Sequence, residues 1–382
     1  LSIIDLTEAS AQPMTDDHGK LWLTFNGEIY NYLELQKELS GYPFKSHGDS
    51  ETILAAYRKW GERCVDHFIG MFAFAVWDTE KKTLFCARDR LGIKPFHYAH
   101  HNGNYLFASE IKALLAAGLP AAPNWEVWGA YLQHGQYDHG DDTFFAGVQS
   151  LAPGHTLIWR EGAITTKRYW DLSPRTSPPL SLSDDEAAER LQAIIDDAVR
   201  LRLRSDVPLG VNLSGGLDSA ALFAFVDASD EVGDELNCFT AGFDDPLYDE
   251  SAFAAGIPRR KRWHQHVSRL DAQSAWDMID PLMHAEEAPF GGIGTLSYHN
   301  LHKLIREQGV TVVLEGQGMD EMFAGYAYYR SPAKQGVYQD GSSFLRPETL
   351  SPFIREQGSG SAEFPTPFAS DLSNRLYQDI RH

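Results

Sequence analysis

Pro208-Leu209-Gly210-Val211-Asn212-Leu213-Ser214-Gly215-Gly216-Leu217-Asp218-Ser219 joins a short apolar run to a helix-forming one through two adjacent glycines. That order, strand then Gly pair then helix, leaves backbone N–H groups unpaired at the positive end of a helix dipole, a corner suited to phosphate. Gly215 and Gly216 let the main chain approach an anion without a Cβ, and the Ser214 and Ser219 hydroxyls can donate to its oxygens. Asp218 is of no use to phosphate alone; a carboxylate here makes sense where Mg²⁺ bridges it to phosphate oxygens. The string lacks the Lys of a Walker loop, so chemistry that releases pyrophosphate fits better than γ-phosphate transfer. The plainer alternative is a strand-to-helix turn without a ligand, and the length of the string weighs against it.

Downstream, an apolar run at 310–314 leads into Glu315-Gly316-Gln317-Gly318-Met319-Asp320-Glu321, a second Gly-rich strand end followed by acids. Taken singly, Asp320 and Glu321 read as helix-start acids; beside the first loop, Asp320 becomes a second magnesium ligand. Strand-like runs at 209–213, 236–241 and 310–314 alternate with helical ones at 219–226 and 295–307, which predicts a parallel sheet covered by helices. Ser183 with Glu186 forms a capping-box signature, and Ala187, Leu191, Ile194, Ile195, Ala198 and Leu201 repeat at helical spacing. Residues 171–183 are rich in Pro and Ser and read as an interdomain connection. After Arg330 only short helices are expected.

Upstream of that connection the pattern changes to short β-rich runs, at 21–25, 71–77, 83–87 and 105–108, broken by turn residues, with helices expected near 32–39 and 51–59. On local sequence alone Asn26-Gly27 is a hairpin turn. A chain of 382 residues with two such patterns is expected to form two domains. The boundaries fall at 1–170 and 184–382 with the connection between.

The formal net charge of −20 argues against a nucleic-acid duplex as partner, and no apolar run is long enough to cross a bilayer. Cys64, Cys86 and Cys238 are too scattered for a disulfide framework or zinc site, so a reducing, cytoplasmic setting is expected. His100-His101 and His264-Gln265-His266 lack ligand partners at metal spacing and read as loop or edge-strand histidines. Trp125, Trp128 and Tyr131 fall on one helical face and read as packing, and Arg259-Arg260-Lys261-Arg262 reads as a solvated basic face.

Several strings together carry a family resemblance: Leu1-Ser2-Ile3-Ile4-Asp5-Leu6, Phe25-Asn26-Gly27-Glu28-Ile29-Tyr30, Ser46-His47-Gly48-Asp49-Ser50-Glu51, Gly70-Met71-Phe72-Ala73-Phe74, the run from Ala87 to Pro95, Phe107 to Lys112, and the two Gly-rich loops. In this order they resemble the glutamine-hydrolysing asparagine synthetase family. The resemblance implies an N-terminal-nucleophile αββα sandwich glutaminase domain followed by a parallel-sheet α/β ATP-pyrophosphatase domain of the adenine nucleotide α-hydrolase type. It implies that Asn26 and Gly27 supply an oxyanion hole. Glutamine would be held by Glu28, Asp49 and the backbone of Ser2, Ile3 and Ile4. ATP would be bound by Leu213, Ser214 to Ser219, Ala241, Glu315 and Gly316, with Mg²⁺ on Asp218 and Asp320. A nucleophilic Cys and a glutamine-binding Arg are implied before Leu1, and further helices with an ATP-site Lys beyond His382.

The implied partners are glutamine, ATP and a carboxylate, aspartate being favoured; a homodimer is compatible with them. Gln317 occupies the position where family members carry an acid linked to the acyl-adenylate. That difference keeps open a relative acting on another carboxylate, of a natural product, a peptide or the cell wall. A noncatalytic ATP-binding scaffold is the third alternative.

Overall fold

The computed structural model describes residues 3–137, 140–172, 181–245, 249–323 and 325–326. Ser2, residues 173–180 of the expected connection, and the short helices expected after Arg330 lie outside them. The chain divides into two compact units, one formed by Leu1–Asp171 with Ala188–Pro208 and the other by Leu172–Ala187 with Leu209 onward.

The first unit contains strands β1 (Met14–Thr15), β2 (Leu21–Ile29), β3 (Gly70–Asp78), β4 (Thr83–Arg88), β5 (His97–His101), β6 (Asn104–Ala108), β7 (Gln149–Ser150), β8 (His155–Arg160) and β9 (Ala163–Arg168). Its helices are α1 (Tyr32–Glu38), α2 (Ser50–Trp60), α3 (Ile111–Ala116) and α4 (Trp125–His134). They make an antiparallel six-stranded sheet ordered β1-β2-β3-β4-β8-β9 and a three-stranded sheet ordered β6-β5-β7.

Strand alternation explains the layering. Phe72, Phe74 and Phe85 point to one face and bury Leu35, Ile53 and Leu54 of α1 and α2. Ala73, Ala75 and Cys86 point to the other and pack on Phe96, Tyr98 and Leu151 of the second sheet layer. Ile111 and Leu114 of α3 then cover Ala99 and Val148 on that sheet's far side. The order helix, sheet, sheet, helix is the αββα sandwich expected. Cys64 and Cys86 are free and buried, with thiol pKa values pushed far above the ordinary range by burial, so they are structural.

The second unit is built on the parallel sheet expected, ordered β12-β11-β10-β13. Its strands are β10 (Leu209–Asn212), β11 (Glu235–Gly242), β12 (Arg262–Arg269) and β13 (Val312–Leu314). Helix α5 (Asp184–Arg202) belongs from Ala188 on to the first unit, and α6 (Leu217–Ala228), α7 (Ser251–Gly256), α8 (Ala272–Asp277), α9 (Ile279–Glu286), α10 (Ile293–Glu307) and α11 (Met319–Phe323) are the described helices after β10 begins. Leu301 and Ile305 of α10 cover Phe239 and Val310. Among the described residues no helix is long and apolar enough to cross a membrane.

Four local expectations change. Asn26-Gly27 is no turn: β2 runs through it to Ile29, because Gly27 takes φ +142° beside β3, a conformation and a space closed to other residues. The capping box forms, with Ser183 Oγ and N–H both donating to Glu186, yet the apolar face of α5 is exposed at Ala187, Leu191 and Ile194 and buried only near Val199 and Leu201. Trp125 is 76% exposed, whereas Trp128 and Tyr131 pack edge-on against Phe144. The basic run is held by its backbone: Asp227 accepts the Arg260 and Lys261 N–H groups and the Trp263 indole N–H, and Arg259 reaches Gln265. His264 and His266 do sit on an edge strand, β12.

Candidate active site

In the first unit, β2 presents Asn26, Gly27 and Glu28 in register with Ala73, Phe72 and Met71 of β3. A Cβ on Gly27 would stand 2.1 Å from the Met71 carbonyl oxygen. Gly27→Ala is therefore expected to cost about 3 kcal/mol of stability from the clash and the positive φ together, read as a lower denaturant midpoint. A midpoint equal to the wild type would show that β3 yields.

The Asn26 amide donates to Ser109 Oγ at 3.2 Å, which fixes its side chain. Glu28 and Asp49 are 8% and 4% exposed, so two carboxylates share a buried space. Asp49, at the start of α2, accepts the Ile29 N–H at 2.8 Å. Glu28 Oε2 has no hydrogen-bond partner among the described residues.

Burial, then the Asp49 charge and to a lesser degree Asp206, push the Glu28 carboxyl up to about 8 against the pull of Lys94. Burial raises Asp49 to about 6, opposed by backbone N–H donors of Ile29, Asp49 and Ser50. An orphaned oxygen in a negatively charged cleft suits an ammonium group.

Near them, Ile3 and Ile4 are followed by Asp5, whose φ is +55°. Burial alone would raise the Asp5 carboxyl, but hydrogen bonds from Thr7, His47 and Ser10 hold it well below the usual carboxylate range. Buried Asp89 gathers the N–H groups of Phe72, Leu91, Ile93 and Lys94, and so shapes the loop carrying Lys94. Sequence patterning did not single out Ser109, Lys94 or Asp206. Ser109 and Lys94 lie inside runs that carry the resemblance, whereas Asp206 acts by long-range bonding that no local spacing encodes.

In the second unit the loop from Ser214 to Ser219 joins β10 to α6. Gly215 has φ +88°, and a Cβ there would meet Phe253 Cβ at 2.9 Å. The two hydroxyls tie the loop shut on itself: Ser214 Oγ and Ser219 Oγ are 3.0 Å apart, Gly216 N–H donates to Ser214 Oγ, and Ser219 Oγ donates to the Gly216 carbonyl. The N–H groups of Leu217, Asp218 and Ser219 open the helix and have no intrahelical acceptor.

Leu213 is buried and its carbonyl accepts from Thr240 Oγ1 at 2.7 Å, next to Ala241 on β11. Gly316 is pressed on the loop, since a Cβ would lie 2.9 Å from both Asp218 C and Ser219 N. Glu315 is gripped by Asn212 Nδ2 at 2.6 Å and by the Tyr298 hydroxyl, with His302 Nε2 3.6 Å away. Burial and Glu315 push the Tyr298 hydroxyl far up, opposed by Asn212 and Gln317, so the Gln317 amide lies near the Glu315 cluster.

Burial, then the charges of Asp320 and Glu321, raise the Asp218 carboxyl. Among the described residues no group of three or more ligating side chains could hold a metal by itself. Two carboxylates such as Asp218 and Asp320 fit the chemistry of Mg²⁺, which usually completes its shell with phosphate and water.

Residues 1–170 match the glutamine amidotransferase domain and residues 190–382 match asparagine synthase. The chain belongs to the asparagine synthase family. Asparagine synthetase [glutamine-hydrolyzing] 1 of Bacillus subtilis is 34% identical over 87% of the chain and 52% of that relative. The putative asparagine synthetase 2 of Methanocaldococcus jannaschii is 31% identical over 91% of the chain and 69% of its own length. Amidase chry2 of Gibberella zeae is 34% identical over 87% of the chain and 51% of its length. The chain thus spans about half the length of most of these family members.

Proposed function

We propose that the chain forms the glutamine-hydrolysing and ATP-activating parts of an asparagine synthetase-like ligase, with aspartate as the favoured acceptor. The observation that carries this is the pairing in one chain of two acid sites of different kinds. One is buried beside Asn26 and Gly27, and the other lines an anion-accepting loop.

Glutamine enters with its ammonium between Glu28 and Asp49 and its backbone along Ile3 and Ile4; Ser2 belongs to the same proposal. Asn26 Nδ2 and the Gly27 N–H donate to the oxyanion as the side-chain amide is attacked, and water finally yields glutamate and ammonia. In the second unit the helix-start N–H groups of Leu217, Asp218 and Ser219 receive ATP phosphates, with Leu213, Ala241, Glu315 and Gly316 around the adenosine. Mg²⁺, bound by Asp218 and Asp320, would neutralise phosphate charge. The acceptor carboxylate attacks the α-phosphorus and pyrophosphate leaves. Ammonia then attacks the acyl carbon, AMP leaves, and the surplus proton passes to solvent.

Gln317 favours a second reading, in which the acceptor is a different carboxylate, because an amide cannot serve as the base that an acid at this place would supply. One experiment separates the two. Full-length protein is incubated with ATP, Mg²⁺ and aspartate, and with glutamine or ammonium as nitrogen source. AMP, pyrophosphate and asparagine formed together support the first reading. Pyrophosphate released only with another carboxylate sinks it.

A further inference from the structure

Ile3 and Ile4 belong to no helix or strand, so their backbone needs an outside support to offer fixed contacts to a ligand. Asp206 supplies it. Its carboxylate accepts the Asp5 N–H at 2.8 Å, and its own N–H donates to the Ile3 carbonyl at 3.0 Å. These two bonds bracket Ile4, in the manner of one rung of a β-ladder made half from a side chain. The Asp5 carboxylate meanwhile binds Thr7 and His47, which leaves the Asp5 N–H to Asp206.

The segment bearing Asp206 is itself fastened to the same wall. Arg204 donates to the Tyr30 carbonyl at 2.6 Å and grips both Glu34 oxygens, at 2.7 and 2.6 Å. Arg202 stacks over the Tyr30 ring at 5.0 Å. Tyr30 lies two residues beyond Glu28, so the segment reaches the strand end that carries the buried acid.

We infer that Asp206 is a positioning residue of the glutamine site: it fixes the Ile3–Ile4–Asp5 backbone and adds negative charge where the ammonium of glutamine binds. This rests on the glutaminase reading above. It goes further in recruiting a residue that stands 201 positions from Asp5 and just before the phosphate-loop strand. A purely structural strut would hold the backbone without raising the Glu28 carboxyl, to which Asp206 adds a small push after burial and Asp49, and that difference is measurable.

Pyrophosphate release by full-length protein is followed with glutamine and, separately, with ammonium, for wild type, Asp206→Ala and Asp206→Asn. Loss of the acceptor for the Asp5 N–H in Asp206→Ala is expected to raise the glutamine KM roughly tenfold, the effect falling on KM rather than kcat. Asp206→Asn keeps an acceptor oxygen and removes the charge. Its acid limb in glutamine kcat/KM is expected to move to lower pH, because Glu28 then faces only Asp49 and Lys94.

Unchanged glutamine KM in Asp206→Ala, or an unmoved acid limb in Asp206→Asn, overturns the inference. Should Asp206→Ala fail to fold, the pH profile of Asp206→Asn decides alone. A wild type active with ammonium but indifferent to glutamine overturns the glutaminase reading itself, and this inference with it.

Discussion

Replacing Asp218 with alanine is expected to lower ATP-dependent pyrophosphate release by about 10³-fold or more, with glutamine hydrolysis retained. Asp218 stands in the first turn of α6, between the loop glycines and the acids of α11. Its carboxyl is raised first by its own burial and then by the charges of Asp320 and Glu321. On the proposed reading, acids so placed would repel a polyphosphate, and Mg²⁺ on Asp218 and Asp320 would offset that repulsion.

Alanine removes the ligand and leaves the loop itself intact, because the Ser214, Gly216 and Ser219 bonds do not involve the Asp218 side chain. Asp320→Ala should act in the same direction through the same ion. The measurement is pyrophosphate release with ammonium as nitrogen source, beside glutamate formation from glutamine. Equal loss of both activities would contradict separate sites for the two reactions.

The sandwich and the parallel sheet were legible because both are written in hydrophobic periodicity. Phe72, Phe74, Ala73 and Ala75 alternate, and 209–213 and 236–241 are short apolar runs, the first of them leading into a Gly pair. β12 was not legible: Arg262, His264, Gln265 and His266 give it little apolar content, and it is a strand because β11 lends it a full parallel ladder. Asn26-Gly27 misled for the opposite reason. Asn-Gly is a strong turn signal, but here glycine answers to the Met71 carbonyl at its back and not to a chain reversal.

Site chemistry divided along the same line. The loop proposed to hold phosphate is contiguous and is read from one string. The proposed glutamine site draws on Ile3, Glu28, Asp49, Lys94 and Asp206, which are far apart in sequence. Resemblance supplied Glu28 and Asp49, and nothing in local sequence distinguishes Asp206 from any turn acid.

Glu28→Gln is expected to reduce glutamine kcat/KM by about 10²-fold or more while making the folded protein more stable at alkaline pH. The Glu28 carboxyl rises from 4.5 to about 8, so at low pH both folded and unfolded chains carry the proton and the group is neutral toward folding. As pH climbs through the unfolded value the unfolded chain ionises first, and stability falls until the folded carboxyl ionises near 8. The loss comes to on the order of 5 kcal/mol, which the amide removes because it does not ionise.

Thermal melting near pH 5 should therefore scarcely distinguish the variant from wild type, and melting near pH 8 should favour the variant. On the proposed reading, glutamine reverses the sign: its ammonium would stabilise the ionised pair and expel a proton from Glu28, so the wild-type glutamine KM is expected to fall as pH rises toward 8. Glu28→Gln should lose that dependence and gain no thermal protection from glutamine. A variant less stable than wild type at alkaline pH, or one that keeps the wild-type pH profile, would mean that the unpaired Glu28 oxygen is satisfied by something other than the ligand's cation.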